Sequence, residues 1–190
     1  MKQKGITNMG YITVTVTNLI ADIKTALKNE TYYPALALTF ALISRCANAE
    51  YPNSKNDRHK FKTWFDKYIT DTLTYGDENC QYGEINGELI YQLRCSLFHE
   101  ASININFKDK NKITHKVNKN LTNQTFTLVL NNYTPAGVWS IGIVSNYPSI
   151  EINVCDFINY CLRFIEVYYN NNKEKFKNFT VYDNRHKEQE

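Results

Sequence analysis

Arginine, cysteine, serine and histidine fall within two helical turns of one another at one place in this 190-residue chain, Arg94-Cys95-Ser96-Leu97-Phe98-His99. A neutral imidazole can take the proton from a ribose 2′-hydroxyl, because its pKa lies near working pH. A guanidinium can hold a phosphate through two parallel N–H bonds and offset the charge that builds on it. Arg94 and His99 are therefore a minimal kit for metal-free RNA cleavage. One histidine cannot be base and leaving-group acid in the same turnover, so such a site calls for a second copy of the motif across a two-fold axis. Cys95, four residues from His99, invites a thiol-nucleophile reading, yet no third orienting group or oxyanion motif accompanies it. No Gly-rich phosphate loop, H-E-x-x-H or serine elbow is present, and neither a metal nor a cofactor is expected.

The pattern around these residues predicts one helix over 88–99. Leu89, Ile90, Leu93 and Leu97 form an apolar arc, the core stripe. Tyr91, Cys95 and Phe98 form a second arc, edged by Arg94 and His99. An exposed helix has no use for that second arc, so it should be covered by another helix or by a second copy of the chain. Arg94 and His99 are five residues apart and point about 140° apart on a straight helix. They can meet at one substrate if the helix ends at His99 or if the pocket is a seam between two copies.

Upstream, Asn18 can cap a first helix carrying Leu19, Ile20, Ile23 and Leu27 at helical spacing. A second helix runs from about Pro34 to Ala49, apolar on most sides and therefore the most buried. Asp57 should cap a third helix, 58 to about 73, with Phe61, Trp64, Phe65, Tyr68 and Ile69 inward and Arg58, Lys60, Lys62 and Lys67 outward. That basic face could touch nucleic acid or simply be solvated, and His59 belongs to it. Residues 76–87 read as a loop. After His99 the period shifts towards alternation, and strands are expected near 103–107, 113–117, 126–130, 138–144 and 150–154, forming a small antiparallel sheet; His115 is expected at the surface of one of them. Asn153 then opens a last helix, and the Lys- and Asn-rich tail from 171 should fray.

The length allows one domain with a substantial core. The chain has 14 Tyr and 10 Phe, with 7 Gly and 4 Pro, which excludes disordered and fibrous classes. No apolar run is long enough to span a bilayer, and residues 1–5 lack the apolar core of a signal peptide. Five cysteines in no C-x-x-C pairing suggest reduced thiols and a cytoplasmic setting. A net charge of +3 permits an anionic partner without demanding one.

Tyr91-Gln-Leu-Arg94-Cys-Ser-Leu-Phe-His99 resembles the R-x4–6-H motif of the HEPN superfamily, helical proteins of bacterial and phage conflict systems. The form Tyr-x-Leu-Arg-Cys-x-Leu-x-His is similar to a group of uncharacterised bacterial HEPN-like proteins. The context agrees, with an Ala/Leu-rich helix and then one containing Phe65-Asp-Lys-Tyr68 ahead of the motif. The resemblance implies a HEPN-like helical bundle, about 18–102 and 154–170; with the antiparallel insertion read from the alternation at about 103–153 and the basic tail 171–190, the expected chain is a single α+β domain. It implies a homodimer along the motif helices. It also implies a metal-independent endoribonuclease of a defence, toxin or stress system, with Arg94 and His99 catalytic; Tyr91, Cys95 and Ser96 are expected as substrate contacts. RNA is the implied substrate, and a cognate antitoxin or regulatory protein is a possible partner. Two positions depart from active members: Cys95 follows the arginine where a polar residue is frequent, and the second helix reads Ser44-Arg45 where a carboxylate is common, with Glu50 beyond it. The alternative is a silent dimerisation, nucleic-acid- or nucleotide-binding module, in which Arg94 reaches a helix-end carbonyl or Glu100.

Overall fold

The computed structural model describes residues 10–69, 74–77, 80–84, 86–100, 105–106, 125–129, 139–144, 147–176 and 179–183. Five helices make the bundle: α1 (Val16–Lys28), α2 (Tyr32–Glu50), α3 (Asp57–Tyr68), α4 (Gly87–Glu100) and α5 (Val154–Asn171). Helix α2 packs against all four others. Its buried set, including Ala35, Leu36, Phe40, Leu42, Ile43 and Cys46, spans an arc of about 160° at 100° per residue, so the all-round burial expected from its apolar sequence is not reached: Ala41 and Asn48 on the far side are exposed. Against it lie Ile23 of α1, Phe61, Trp64 and Phe65 of α3, Ile90 and Leu93 of α4, and Phe157, Ile158 and Ile165 of α5. No helix among the described residues is long and apolar enough to cross a membrane.

The helix starts differ from the sequence expectation in instructive ways. Thr15, not Asn18, caps α1; its hydroxyl accepts from Asn18 N while the Asn18 side chain accepts from Thr15 N, a reciprocal box that moves the start three residues upstream. Asn56, not Asp57, caps α3 through His59 N at 3.0 Å, which leaves Asp57 in the first turn. Asn153 caps α5 as expected. Between α1 and α2 the chain reverses in two bonds, Glu30 N to Leu27 O at 3.1 Å and Thr31 N to Ala26 O at 2.8 Å, with Glu30 in the left-handed region at φ 57°. This is a Schellman turn with a glutamate where glycine is usual.

Residues expected to form a loop before α4 pair as a hairpin, β2 (Thr74–Asp77) with β3 (Cys80–Glu84); β1 is Gly10–Val14. Between α4 and α5 lie β4 (Ile105–Asn106), β5 (Thr125–Val129), β6 (Trp139–Val144) and β7 (Tyr147–Asn153), in the order β4-β5-β7-β6. The pairing corrects the antiparallel expectation: β5 runs parallel to β7, so the arrangement is mixed. Alternating hydrophobicity marks a strand but not the direction of its neighbour. The strand expected at 113–117, with His115, lies outside the described residues. The tail is also corrected. After α5 a single 3-10 turn, Lys173–Lys175, leads to β8 (Phe179–Asp183), which pairs antiparallel with β1.

The other end of the tail is held by Glu50. Its carboxylate accepts from Lys67 Nζ at 2.9 Å, Tyr68 Oη at 2.7 Å, Tyr168 Oη at 2.9 Å and Lys175 Nζ at 2.8 Å. One side chain thereby joins α2, α3, α5 and the turn after it. Rings of Trp64, Tyr68, Tyr168 and Phe176 stack edge-on or tilted around the group, with Tyr68 and Tyr168 centroids 4.9 Å apart. Lys175 above all, with Tyr68, Lys67 and Tyr168, holds the Glu50 carboxyl well below the usual carboxylate range against the upward pull of burial.

Candidate functional site on the fourth helix

Helix α4 is positioned by α3. Asn86 caps it through Leu89 N at 3.0 Å, and Gly87 N donates to Asp66 Oδ1 at 2.5 Å. At Gly87 the two backbones touch: a Cβ there would lie 2.5 Å from the carbonyl oxygen of Lys62. The next residue, Glu88, pairs with Arg58 and Lys62 of α3 and accepts from Gln92 at 3.0 Å. Burial pushes the Glu88 carboxyl up, but Gln92, Lys62 and Arg58 more than reverse this and leave it at about 2. The core stripe is as the sequence predicts, with Leu89, Ile90, Leu93 and Leu97 buried.

The second arc divides in two. Its first half is covered by α3, where Tyr91 meets Phe61 edge-on at 5.6 Å between ring centroids and Arg58 lies over the Tyr91 ring. Burial, and then the Cys95 thiol beside it, push the Tyr91 hydroxyl pKa up. Its second half is bare. Phe98 is 51% exposed and His99 is exposed. Beside them stands Tyr33, 47% exposed, whose hydroxyl donates to the Leu97 carbonyl at 2.7 Å. Cys95 and Ser96 are half-buried.

Arg94 lies against the rings of α3 and α4. Its guanidinium carbon lies 5.8, 5.5 and 5.7 Å from the ring centroids of Phe61, Tyr91 and Phe98. Its Nε is buried and, among the described residues, has no hydrogen-bond partner. It lines a cavity of about 100 Å³ together with Ser44, Ala47 and Asn48 of α2, Asp57, Lys60 and Phe61 of α3, and Tyr91. His99 is not in that wall. The structure thus brings Arg94 and Tyr91 to one cavity and leaves His99 outside it, as the angle between the two positions requires.

Lys60, expected to face solvent, is the residue that sequence reasoning missed. Its side chain is only 11% exposed; the ammonium pairs with Asp57 at 2.8 Å and donates to Asn48 Oδ1. Lys60 in turn holds the Asp57 carboxyl below its ordinary value, with Arg94 adding to the effect. Position 60 lies one before Phe61 and four before Trp64, so helical arithmetic alone could have put it at the edge of the core side. Burial pushes the Cys46, Cys161 and Cys155 thiols up, away from the thiolate that nucleophilic chemistry needs. No cluster of metal-ligating side chains occurs among the described residues. Comparison with protein families, curated proteins and solved structures finds no match to this chain.

Proposed function

We propose that this chain is a HEPN-like α+β protein that pairs along α4 and cleaves RNA without a metal, through Arg94 and His99 of two subunits. The observation that carries the reading is the bare second half of the α4 arc. Phe98 and His99 stand in solvent at the end of an otherwise packed helix, with Tyr33 alongside. A large aromatic left out of a well-filled core is a contact surface in search of a partner. A two-fold axis there sets two copies of His99 side by side, supplying base and acid. The mixed strands between α4 and α5 are then an insertion in the bundle.

The chemistry follows from the groups. One imidazole takes the 2′-hydroxyl proton, the ribose oxygen attacks the adjacent phosphorus, and the second imidazole protonates the departing 5′-oxygen, leaving a 2′,3′-cyclic phosphate. Arg94 neutralises charge on the phosphoryl oxygens. Incubating a broad RNA set with wild type and His99→Ala in EDTA tests this. Cleavage that survives EDTA, ends in cyclic phosphate and falls at least ~10²-fold in the variant is expected, the usual scale for a general base. Equal, slow cleavage by both proteins refutes it.

A second reading, a non-catalytic pairing or anion-binding module, is favoured by the direction of Arg94, whose Nε lies buried by the α2–α3 cavity, which His99 does not line. Under it the protein still pairs through α4, binds RNA or nucleotide, and cleaves nothing.

A further inference from the structure

The cavity between α2, α3 and α4 has an uneven charge balance. Two cations line it, Lys60 and Arg94, against one carboxylate, Asp57, whose side chain is 78% exposed. Burying an ammonium and a guanidinium side by side is costly unless their donors are satisfied. An ammonium has three N–H donors. Asp57 and Asn48 each accept one from Lys60. Asn48 gives its oxygen to that bond and keeps its NH2 to donate. Arg94 Nε has no hydrogen-bond partner among the described residues. Residues of three helices thus line one small space, two of them cations and one a carboxylate. The cavity volume is about 100 Å³. That admits a tetrahedral oxyanion, and the charged lining favours a phosphate over an uncharged nucleoside.

We propose that this cavity is a phosphate-binding subsite, holding inorganic phosphate or the terminal phosphate of a nucleotide on Lys60 Nζ, the Asn48 amide and the Arg94 guanidinium. It shares Arg94 with the proposed ribonuclease site and needs neither His99 nor cleavage. A bound phosphate supplies the missing negative charge and the acceptors in one group. Asp57 opposes it by repulsion and by competing for Lys60, so the site as built binds weakly and selects for dianions able to displace that pair.

Titration of the full chain with inorganic phosphate, AMP and adenosine, followed by calorimetry at constant ionic strength, tests the proposal. Wild type should bind one phosphate or AMP per chain and no adenosine; tighter AMP would identify the nucleotide end as the ligand, tighter phosphate the free ion. Lys60→Met should weaken binding at least tenfold. Asp57→Asn should tighten it, and His99→Ala should leave it unchanged whether or not RNA is cleaved. Absence of saturable binding by both phosphate and AMP, or an unaltered affinity in Lys60→Met, overturns the site. If Lys60→Met fails to fold by circular dichroism, Asp57→Asn decides: an affinity equal to or weaker than wild type overturns it.

Discussion

Replacing Glu50 by alanine removes the acceptor shared by four donors from three other parts of the chain. The two lysines contribute little to the cost, because their side chains are 52% and 38% exposed and return to water; such pairs are worth about 0–1 kcal/mol. The two tyrosines decide it. Tyr168 is buried and Tyr68 half-buried, and a hydrogen bond to a charged acceptor is worth about 1.5–3 kcal/mol. At the lower end, two such bonds and the lysine remainder give about 3–4 kcal/mol. For a domain of this size each kcal/mol moves Tm by about 2–4 °C. Glu50→Ala should therefore melt about 10 °C below wild type in a reversible calorimetric scan. Glu50→Gln keeps one carbonyl acceptor and should lose about half as much. The pH dependence has a defined sign. A carboxyl held below its unfolded value stabilises fully above about pH 5.5, and loses that contribution as pH falls through the unfolded value of about 4.3 towards the folded one. Below about pH 4.3 the gap between wild type and Glu50→Gln in urea should shrink by about 1.4 kcal/mol per pH unit. A melting shift under 2 °C for Glu50→Ala, or a gap that stays constant down to pH 3.3, would refute the assignment of Glu50 as the clamp on α2, α3 and α5.

Gly87→Ala should cost about 2–3 kcal/mol by overpacking, because its Cβ meets backbone of α3 rather than a movable side chain; chemical denaturation reads this, and a neutral result would mean that α4 can slide on α3. Glu30→Gly should stabilise by up to about 1 kcal/mol, since relief of the left-handed strain outweighs the added freedom of the unfolded chain. An unchanged urea midpoint would count against the turn. Phe98→Asp should convert a dimer into a folded monomer at micromolar concentration by light scattering, because it places an unpaired charge in the seam. A monomeric wild type would remove the seam altogether.

What the sequence made legible was set by periodicity. The buried faces of α1 and α4 repeat at helical spacing, so Ile23 and Leu93 could be assigned inward without any partner in view. Direction and distance were not legible. The parallel pairing of β5 with β7 leaves the same alternation as an antiparallel one. Glu50 looked like a carboxylate one turn too late for a site, because its four partners lie 17 to 125 residues away. Lys60 looked solvated because its acceptors, Asp57 and Asn48, are ordinary polar residues whose meeting depends on the α2–α3 packing.

The candidate site shows the same division. The five-residue step from Arg94 to His99 fixes their divergence on any straight helix, and the structure keeps it: the arginine lies over Phe61, Tyr91 and Phe98 while the histidine stands exposed. The proposed reaction therefore demands more than pairing of two histidines. Arg94 must either act from its rings at the edge of the seam or swing out of the α2–α3 cavity, where its Nε forms no hydrogen bond with the described residues that a swing would break. Phosphate separates these two routes. If Arg94 works in place, phosphate in the cavity neutralises it and inhibits RNA cleavage competitively. If it must swing, phosphate holds the resting arginine and lowers kcat at saturating RNA. The kinetic form of inhibition, measured in wild type and in Lys60→Met, thus reports which way the arginine faces during catalysis.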